Sequence, residues 1–430
     1  MGLARTPRRA PRALTALTAR LRSGGQNVPP VVVFKAVQHS PPPPWFVHAP
    51  APPVPSWASV VGYSKLASAV LRTQSPAASW DRLTFDAASR RLFVSASADG
   101  VVSLSVDAVT AAPLVASAAA VPSSAMCNSM VLVPAVGSAA PLGFCGDMGG
   151  PGARVSAGVN VYATPPTGPA VLLRTVPTAG VGVDNGVFDV LSNQVVVTLL
   201  NGSLIAIDAS TQAQRGSLNL VTRVCAADGS PCNLLASPVV DGRGSLFING
   251  PLTSQLFRVN MSTLTVSATW NLLALGCSDP TGLDVDPVLG RLFVGCANPG
   301  APILLVLDST TGVKKASLPI GRGNDGVRWD ATRGRIYVSS GVAANVVVIQ
   351  QRVTGGVDAY AVREAITTKP GARTLTFDPL SGVIYTLAPD GRYDPTRPFD
   401  ADAWGVSFYN NVWFPNTLEV IALAPPSPTA

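Results

Sequence analysis

The stretch DPTGLDVDPVLGRLFVGCANPG (residues 279–300) holds the unit that repeats along the chain. An apolar strand, Leu283–Asp286 (LDVD), ends in an acid, a short turn reaches Gly290, and a second apolar strand, GRLFVG (290–295), runs back. A third strand, ILLVLD (303–308), follows. Short runs of Val, Leu, Ile and Phe bounded by Gly, Pro and Asp read as strands joined by tight turns.

The same order recurs on either side. First strands are LTFD ending at Asp86, VLVP at Pro134, VFD at Asp189, VVD at Asp241, LDVD at Asp286, VRWD at Asp330 and LTFD at Asp378. The anchors lie 48, 55, 52, 45, 44 and 48 residues apart, the length of a four-stranded propeller blade. Further second strands are GRIYVS (334–339) and GVIYTL (382–387); further third strands are SLIAID (203–208), QLFRVN (255–260) and NVVVIQ (345–350). The repeat predicts an all-β fold, a single seven-bladed β-propeller over residues 56–425. A basic, Pro-rich N-terminal extension (1–55) precedes it and a tail (426–430) follows.

An apolar residue stands just before each anchor: Phe85, Val133, Phe188, Val240, Val285, Trp329 and Phe377. These are expected to pack between neighbouring blades, so Trp80 and Trp329 read as packing residues. The last blade supplies LTFD, VIYTL and Thr417–Leu423, leaving one strand to come from near Ala67–Thr73. Closure by the two ends of the chain removes the open sheet edges. The aromatic- and Pro-rich loop Ala388–Asn416 is an insertion between the second and third strands of that blade.

Composition bounds the chemistry. Of 430 residues 47% are apolar and 13% charged, so most strands are buried. The formal charge of +7 is confined to one end. Nine of the 31 lysines and arginines precede Asp81, the first acid, leaving 22 bases against 24 acids in the remainder. A near-neutral body predicts no phosphate-neutralising face, so nucleic acid is not expected as a partner of the propeller. The only histidines, His39 and His48, lie in the leader, and the only glutamates are Glu364 and Glu419. A body without histidine excludes a Ser–His triad, a His-ligated zinc and a His-bound haem.

The leader MGLARTPRRAPRALTALTARLRSGG (1–25) is basic and free of acids, with Leu14, Leu17 and Leu21 on one helical face. Two readings stay open, an organellar transit peptide and an unstructured tail; the first six residues also fit an N-myristoylation pattern. PPPPWFVHAPAPPVP (41–55) reads as a stiff linker. The uncharged span Ala108–Gly146 is interrupted by four prolines, which speaks for buried strands over a membrane-crossing helix.

Blade topology places the start of a first strand and the end of a second at the same rim. Cys277 and Cys296 occupy those places in blade five, Cys127 and Cys145 in blade two, and Cys225 and Cys232 share a loop. Three local disulfides are therefore expected over the alternative of six buried thiols, and with them an extracytoplasmic setting. Import into an organelle is the alternative that the leader suggests. The sequons Asn201-Gly-Ser and Asn260-Met-Ser are compatible with a secretory route.

The runs 279–300, ASLPIGRGNDGVRWDATRGRIYVSSG (316–341) and GARTLTFDPLSGVIYTLAPDG (371–391) resemble YVTN-type, YncE-like propellers over about residues 80–425. The resemblance implies seven blades, an extracytoplasmic protein and a binding role. Blade two departs from it, with Pro134 in place of the anchor acid. RGNDGVRWD (322–330) also resembles the metal-binding segment of gluconolactonase and regucalcin propellers, which implies a divalent cation and a glutamate near the start of the propeller. Here the corresponding SPAASW (75–80) has no glutamate.

Five residues before each anchor stand Asp81, Ser129, Asp184, Ala236, Thr281, Asp325 and Arg373. Topology places them round the mouth of the central channel. Asp81, Asp184, Asn185, Asn324, Asp325 and Arg373 are the ligand-binding candidates, with Arg373 expected to pair with Asp81 and Asp325 across the closing blades. Two functions follow. The first is a monomeric, non-catalytic binding or scaffold propeller without cofactor, recognising a protein, glycan or small ligand at the channel mouth or at loop 388–416. The alternative is a lactonase-like hydrolase using Ca²⁺ or another divalent cation on Asp184, Asn185, Asn324 and Asp325.

Overall fold

The computed structural model describes residues 61–71, 80–96, 100–114, 119–121, 127–135, 140–147, 158–165, 170–221, 235–298, 300–393, 411–414 and 416–426. The leader expected at 1–55 and the Cys225/Cys232 pair lie outside these residues.

Where an anchor acid is present, it explains why the first strand stops where it does. Asp286 Oδ1 accepts the backbone N–H of Val288 at 2.9 Å and Leu289 at 3.2 Å. Asp330 does the same for Thr332 and Arg333. Asp189 and Asp378 hold the serine three residues on, at 2.6 and 2.7 Å. A short carboxylate that satisfies its own turn ends the strand and starts the return. The last residue of the turn is left-handed, φ 63° at Gly290 and 60° at Gly334, so glycine stands there without strain. The same device closes the third strands: Asp107, Asp208, Asn260 and Asp308 each accept the N–H groups two and three residues ahead.

Seven antiparallel sheets result. From the channel outward, blade two is Cys127–Val133, Leu142–Asp147, Gly158–Ala163 and Val171–Pro177, and blade three is Val183–Asp189, Gln194–Leu199, Ser203–Asp208 and Gln214–Asn219. Blade four is Ala236–Val240, Ser245–Gly250, Gln255–Asn260 and Thr265–Asn271, and blade five is Pro280–Asp286, Arg291–Cys296, Ile303–Asp308 and Lys314–Pro319. Blade six is Asn324–Asp330, Arg335–Ser340, Asn345–Thr354 and Val357–Thr367. Blade one is Leu83–Asp86, Arg91–Ser95 and Val101–Val106, with a broken outer strand, Pro113–Leu114 and Ala119–Val121. Blade two forms despite its missing anchor acid. Blade six has a longer outer hairpin than NVVVIQ predicts, because the strand continues to Thr354 and turns at Gly355–Gly356.

Blade seven closes the ring. Leu375–Phe377, Ile384–Ala388 and Leu418–Ala424 are joined by Ser64–Leu71, which pairs antiparallel with the chain's last strand from Ser64↔Ala424 to Leu71↔Leu418. This strand begins three residues before the expected Ala67. The loop 388–416 is an insertion as expected, and its described ends form a ribbon, Gly391–Tyr393 against Asn411–Trp413. Two short 3-10 turns, Pro251–Thr253 and Leu273–Leu275, are the helical segments among the described residues, and none there is long and apolar enough to cross a membrane.

The core is divided between the blades. Among the described residues the buried apolar side chains fall into seven clusters, each at the interface of two neighbouring blades. The residues before the anchors do what their positions predict. Trp329 meets Phe293 of blade five at 5.2 Å between ring centres, Phe377 meets Tyr337 of blade six at 5.5 Å, and Phe85 meets Tyr385 of blade seven at 5.7 Å. The last pair crosses the closure. Such a pair contributes about 0.5–1.5 kcal/mol beyond the area it buries.

Two disulfides form as predicted, Cys127–Cys145 with Cα atoms 5.4 Å apart and Cys277–Cys296 at 5.3 Å. Peptide mapping of unreduced protein should recover both linked pairs; alkylation at these four positions in native protein would contradict them. Removing either bridge should cost about 3 kcal/mol, the scale for loops of this length.

Glu419 ties the closure electrostatically. It accepts from Lys65 of the first strand at 2.8 Å and also pairs with Lys369. Burial alone would raise its carboxyl, but the hydrogen bonds from Lys369, Lys65 and Ser68 outweigh this and hold it at about 2, against an ordinary 4.5. A lowered carboxylate stabilises the fold above its ordinary value, and the contribution disappears as pH falls towards the folded value. Glu419→Gln should therefore be less stable than the parent at pH 6 by about 1–3 kcal/mol. Guanidinium midpoints should show the gap shrinking between pH 4.5 and about 2.

Candidate functional site

The first strands begin at one rim of the ring, and their opening residues face each other across the axis. Arg373 of blade seven is 7% exposed and stands between two carboxylates, Nη2 3.8 Å from Asp81 Oδ1 and Nη1 3.9 Å from Asp325 Oδ2. Its Nη2 also donates to the Trp80 carbonyl at 2.8 Å. The expected pairing across the closing blades is present. Trp80 is 1% exposed and meets Trp413 edge-on at 5.0 Å, so it is a packing residue.

Asp184 of blade three is buried, with Oδ1 accepting from Asn128 Nδ2 at 2.9 Å. Asn185 beside it donates its backbone N–H to Thr198 Oγ1 and lines the channel. Asn324 is placed differently. It is wholly buried at the interface of blades five and six, and its Oδ1 accepts from Thr281 Oγ1 at 3.0 Å. Asn249, on the second strand of blade four, bridges to blade five in the opposite sense, donating Nδ2 to the Gly282 carbonyl at 3.1 Å. The proposed ligand set Asp184, Asn185, Asn324 and Asp325 therefore spans blades three and six and includes one amide committed to an inter-blade bond.

Three charged residues deeper in the channel escaped the sequence reading. Arg82 of blade one reaches Ser237 Oγ of blade four at 3.2 Å, spanning the channel. Asp284 accepts the Trp329 N–H at 2.7 Å and attracts Arg328 of the next blade. A signal existed for Asp284 and Arg328: LDVD and VRWD each carry a charge inside a short buried strand, and a buried charge needs a partner. Between these residues lies a cavity of about 70 Å³, lined by Arg82, Arg328, Ser129, Asn185 and Ser237 among others.

Burial, modified by neighbouring charges, governs how the channel carboxylates titrate. Among the described residues Asp81, Asp184, Asp284 and Asp325 face Arg82, Arg328 and Arg373, and Asp279 lies close enough to repel Asp325. Burial raises Asp81, with Arg373 and Arg82 opposing it. Burial, with Asp81 and Asp325 adding repulsion and Arg82 opposing, raises Asp184 to about 7. Burial first, and repulsion from Asp81 and Asp325 second, thus favour a proton on Asp184 near neutral pH. Burial also pulls the Arg328 guanidinium down, with Asp284 opposing.

No protein-family model and no curated protein matches the chain. Solved structures do. The WD40-repeat structure of RRP9 matches with a TM-score of 0.58 at 12% identity, over 84% of this chain and 100% of that one. A chain of the mitotic checkpoint complex matches at 0.56 and 12%, over 82% and 94%. The structure of U3-55K matches at 0.57 and 11%, over 84% and 99%. At these identities the likeness is one of fold, and the fold is a seven-bladed β-propeller.

The raised Asp184 has a consequence opposite in sign to that of Glu419. Between its ordinary 3.8 and about 7 the folded chain holds a proton that the unfolded chain has lost, so stability falls as pH rises through that window. Asp184→Asn removes the charge. It should match the parent near pH 4 and exceed it at pH 8 by about 1–4 kcal/mol. A gap independent of pH in denaturant titrations would contradict this assignment.

Proposed function

We propose that the chain is a non-catalytic binding propeller that recognises a protein partner on the rim around its channel mouth. The observation that carries this reading is the size of the axial cavity. About 70 Å³ is several-fold below the roughly 300–1,000 Å³ of pockets that enclose organic substrates. Recognition then falls to the surface of the rim, where the strand starts and the base of the 388–416 insertion stand. The carboxylates there are engaged with Arg373 and Asn128, and the propeller carries no histidine to serve as base. The solved relative from the mitotic checkpoint complex, a propeller within an assembly, supports the same reading by likeness of fold.

Two finer points belong to this proposal. A place among YVTN-type propellers is supported by the runs 279–300, 316–341 and 371–391. An extracytoplasmic setting is supported by the two disulfides.

A photo-reactive residue at Arg322, exposed on the segment leading to the mouth, should cross-link one discrete protein in the native cell. Asp325→Arg, which places a second cation against Arg373, should abolish the product. Absence of any cross-link would remove the mouth as the binding rim. Lactone hydrolysis together with stoichiometric divalent metal, both lost in Asp325→Ala, would overturn the non-catalytic reading in favour of the hydrolase.

A further inference from the structure

We infer that Asn201 and Asn260 are N-glycosylation acceptors, each taking an oligosaccharide on Nδ2. The inference rests on the extracytoplasmic reading above. Asn201-Gly202-Ser203 and Asn260-Met261-Ser262 are the two places in the chain where Ser or Thr follows an asparagine at the second position without an intervening proline.

The structure puts both on tight turns with the asparagine exposed. Asn201 lies between the second and third strands of blade three, on the rim of the channel mouth. Asn260 ends the third strand of blade four, on the opposite rim. In each, the side-chain carbonyl accepts both the N–H and the hydroxyl of the following serine: 3.1 and 2.6 Å at Asn201, 2.9 and 2.8 Å at Asn260. The amide nitrogen of neither makes a hydrogen bond to a described residue.

Blade four shows that the turn does not need this amide. Asn260 stands where Asp107, Asp208 and Asp308 stand in blades one, three and five, and all four accept the same two N–H groups. The turn uses one acceptor oxygen, which Asp and Asn supply equally. What asparagine adds is an unengaged –NH₂ directed to solvent beside a serine hydroxyl. The neighbouring Met261 is 1% exposed and holds the turn in place, so a bulky group on Asn260 displaces nothing in the core.

The reaction needs a lipid diphosphate-linked oligosaccharide as donor. Asn Nδ2 forms a bond to the first sugar's C1 and gives up one proton. The C1–O bond to the diphosphate breaks, and the lipid diphosphate leaves with the electron pair. The two closed disulfides, independent of the sequons, mark the oxidising route on which such donors are met.

Intact mass of the full chain from its native source, before and after peptide N-glycosidase, tests the inference. The expected result is a loss of mass corresponding to two glycans, one absent in Asn201→Gln, one in Asn260→Gln and both in the double variant. Alkylation of the same sample reports the compartment. Closed disulfides with no glycan would overturn the inference and leave the extracytoplasmic reading standing. Free thiols with no glycan would overturn both. A glycan on one site alone would overturn the assignment of the other.

Discussion

The antiparallel pairing of Ser64–Leu71 with Leu418–Ala424 joins the two ends of the propeller, and the interfaces of the ring depend on it. Each blade buries its apolar faces only against its neighbours, so no blade has a core of its own. With the seventh blade incomplete, both interfaces it shares would lose partners. Tyr385 would lose its place against Phe85, and Ile421 and Leu423 theirs beside Tyr337. The strand is held further by Glu419 between Lys65 and Lys369, and by Tyr63, whose hydroxyl lies 3.0 Å from that of Tyr337. Upstream of it, Gly62 donates its N–H to Glu364 at 3.1 Å. The two glutamates of the chain thus both serve the closure.

Closure also creates the channel. Seven first strands brought round one axis place their opening residues within reach of each other, and charges far apart in sequence come to share one low-dielectric space. Arg373 joins Asp81 and Asp325 there, and Arg82 crosses to blade four. Burial there, with repulsion from Asp81 and Asp325, favours a proton on Asp184 near neutrality. The mouth is thus lined by paired charges, and the cavity beneath it is narrow.

Much of this was legible before the fold. The acid at the end of six of the seven first strands, the glycine at turn ends such as Gly290 and Gly334, and the apolar residue before each anchor reported local physics: turn capping, left-handed backbone and inter-blade packing. These recur at a fixed spacing, so the blade count and the positions of Trp329, Phe377 and Phe85 followed from period alone. Cys277 and Cys296 were legible for the same reason, since two strands of one hairpin bring them together. Counting back from the anchors found Asp81, Asp184, Asp325 and Arg373. Asn324 came instead from the likeness of RGNDGVRWD to a metal-binding segment; its neighbour Asp325 faces the channel while its own amide bridges two blades.

The sequence by itself determined the repeat, the turns, the closure and the ring of candidate residues, because each depends on contacts within a blade or on periodicity. Only the tertiary structure decided what those residues do. How Asn324 is bonded between blades, whether Arg82 spans the channel, and why the Asp184 carboxyl is raised depend on which side chains from different blades converge. That convergence is fixed by the curvature of the closed ring, and no local pattern encodes it.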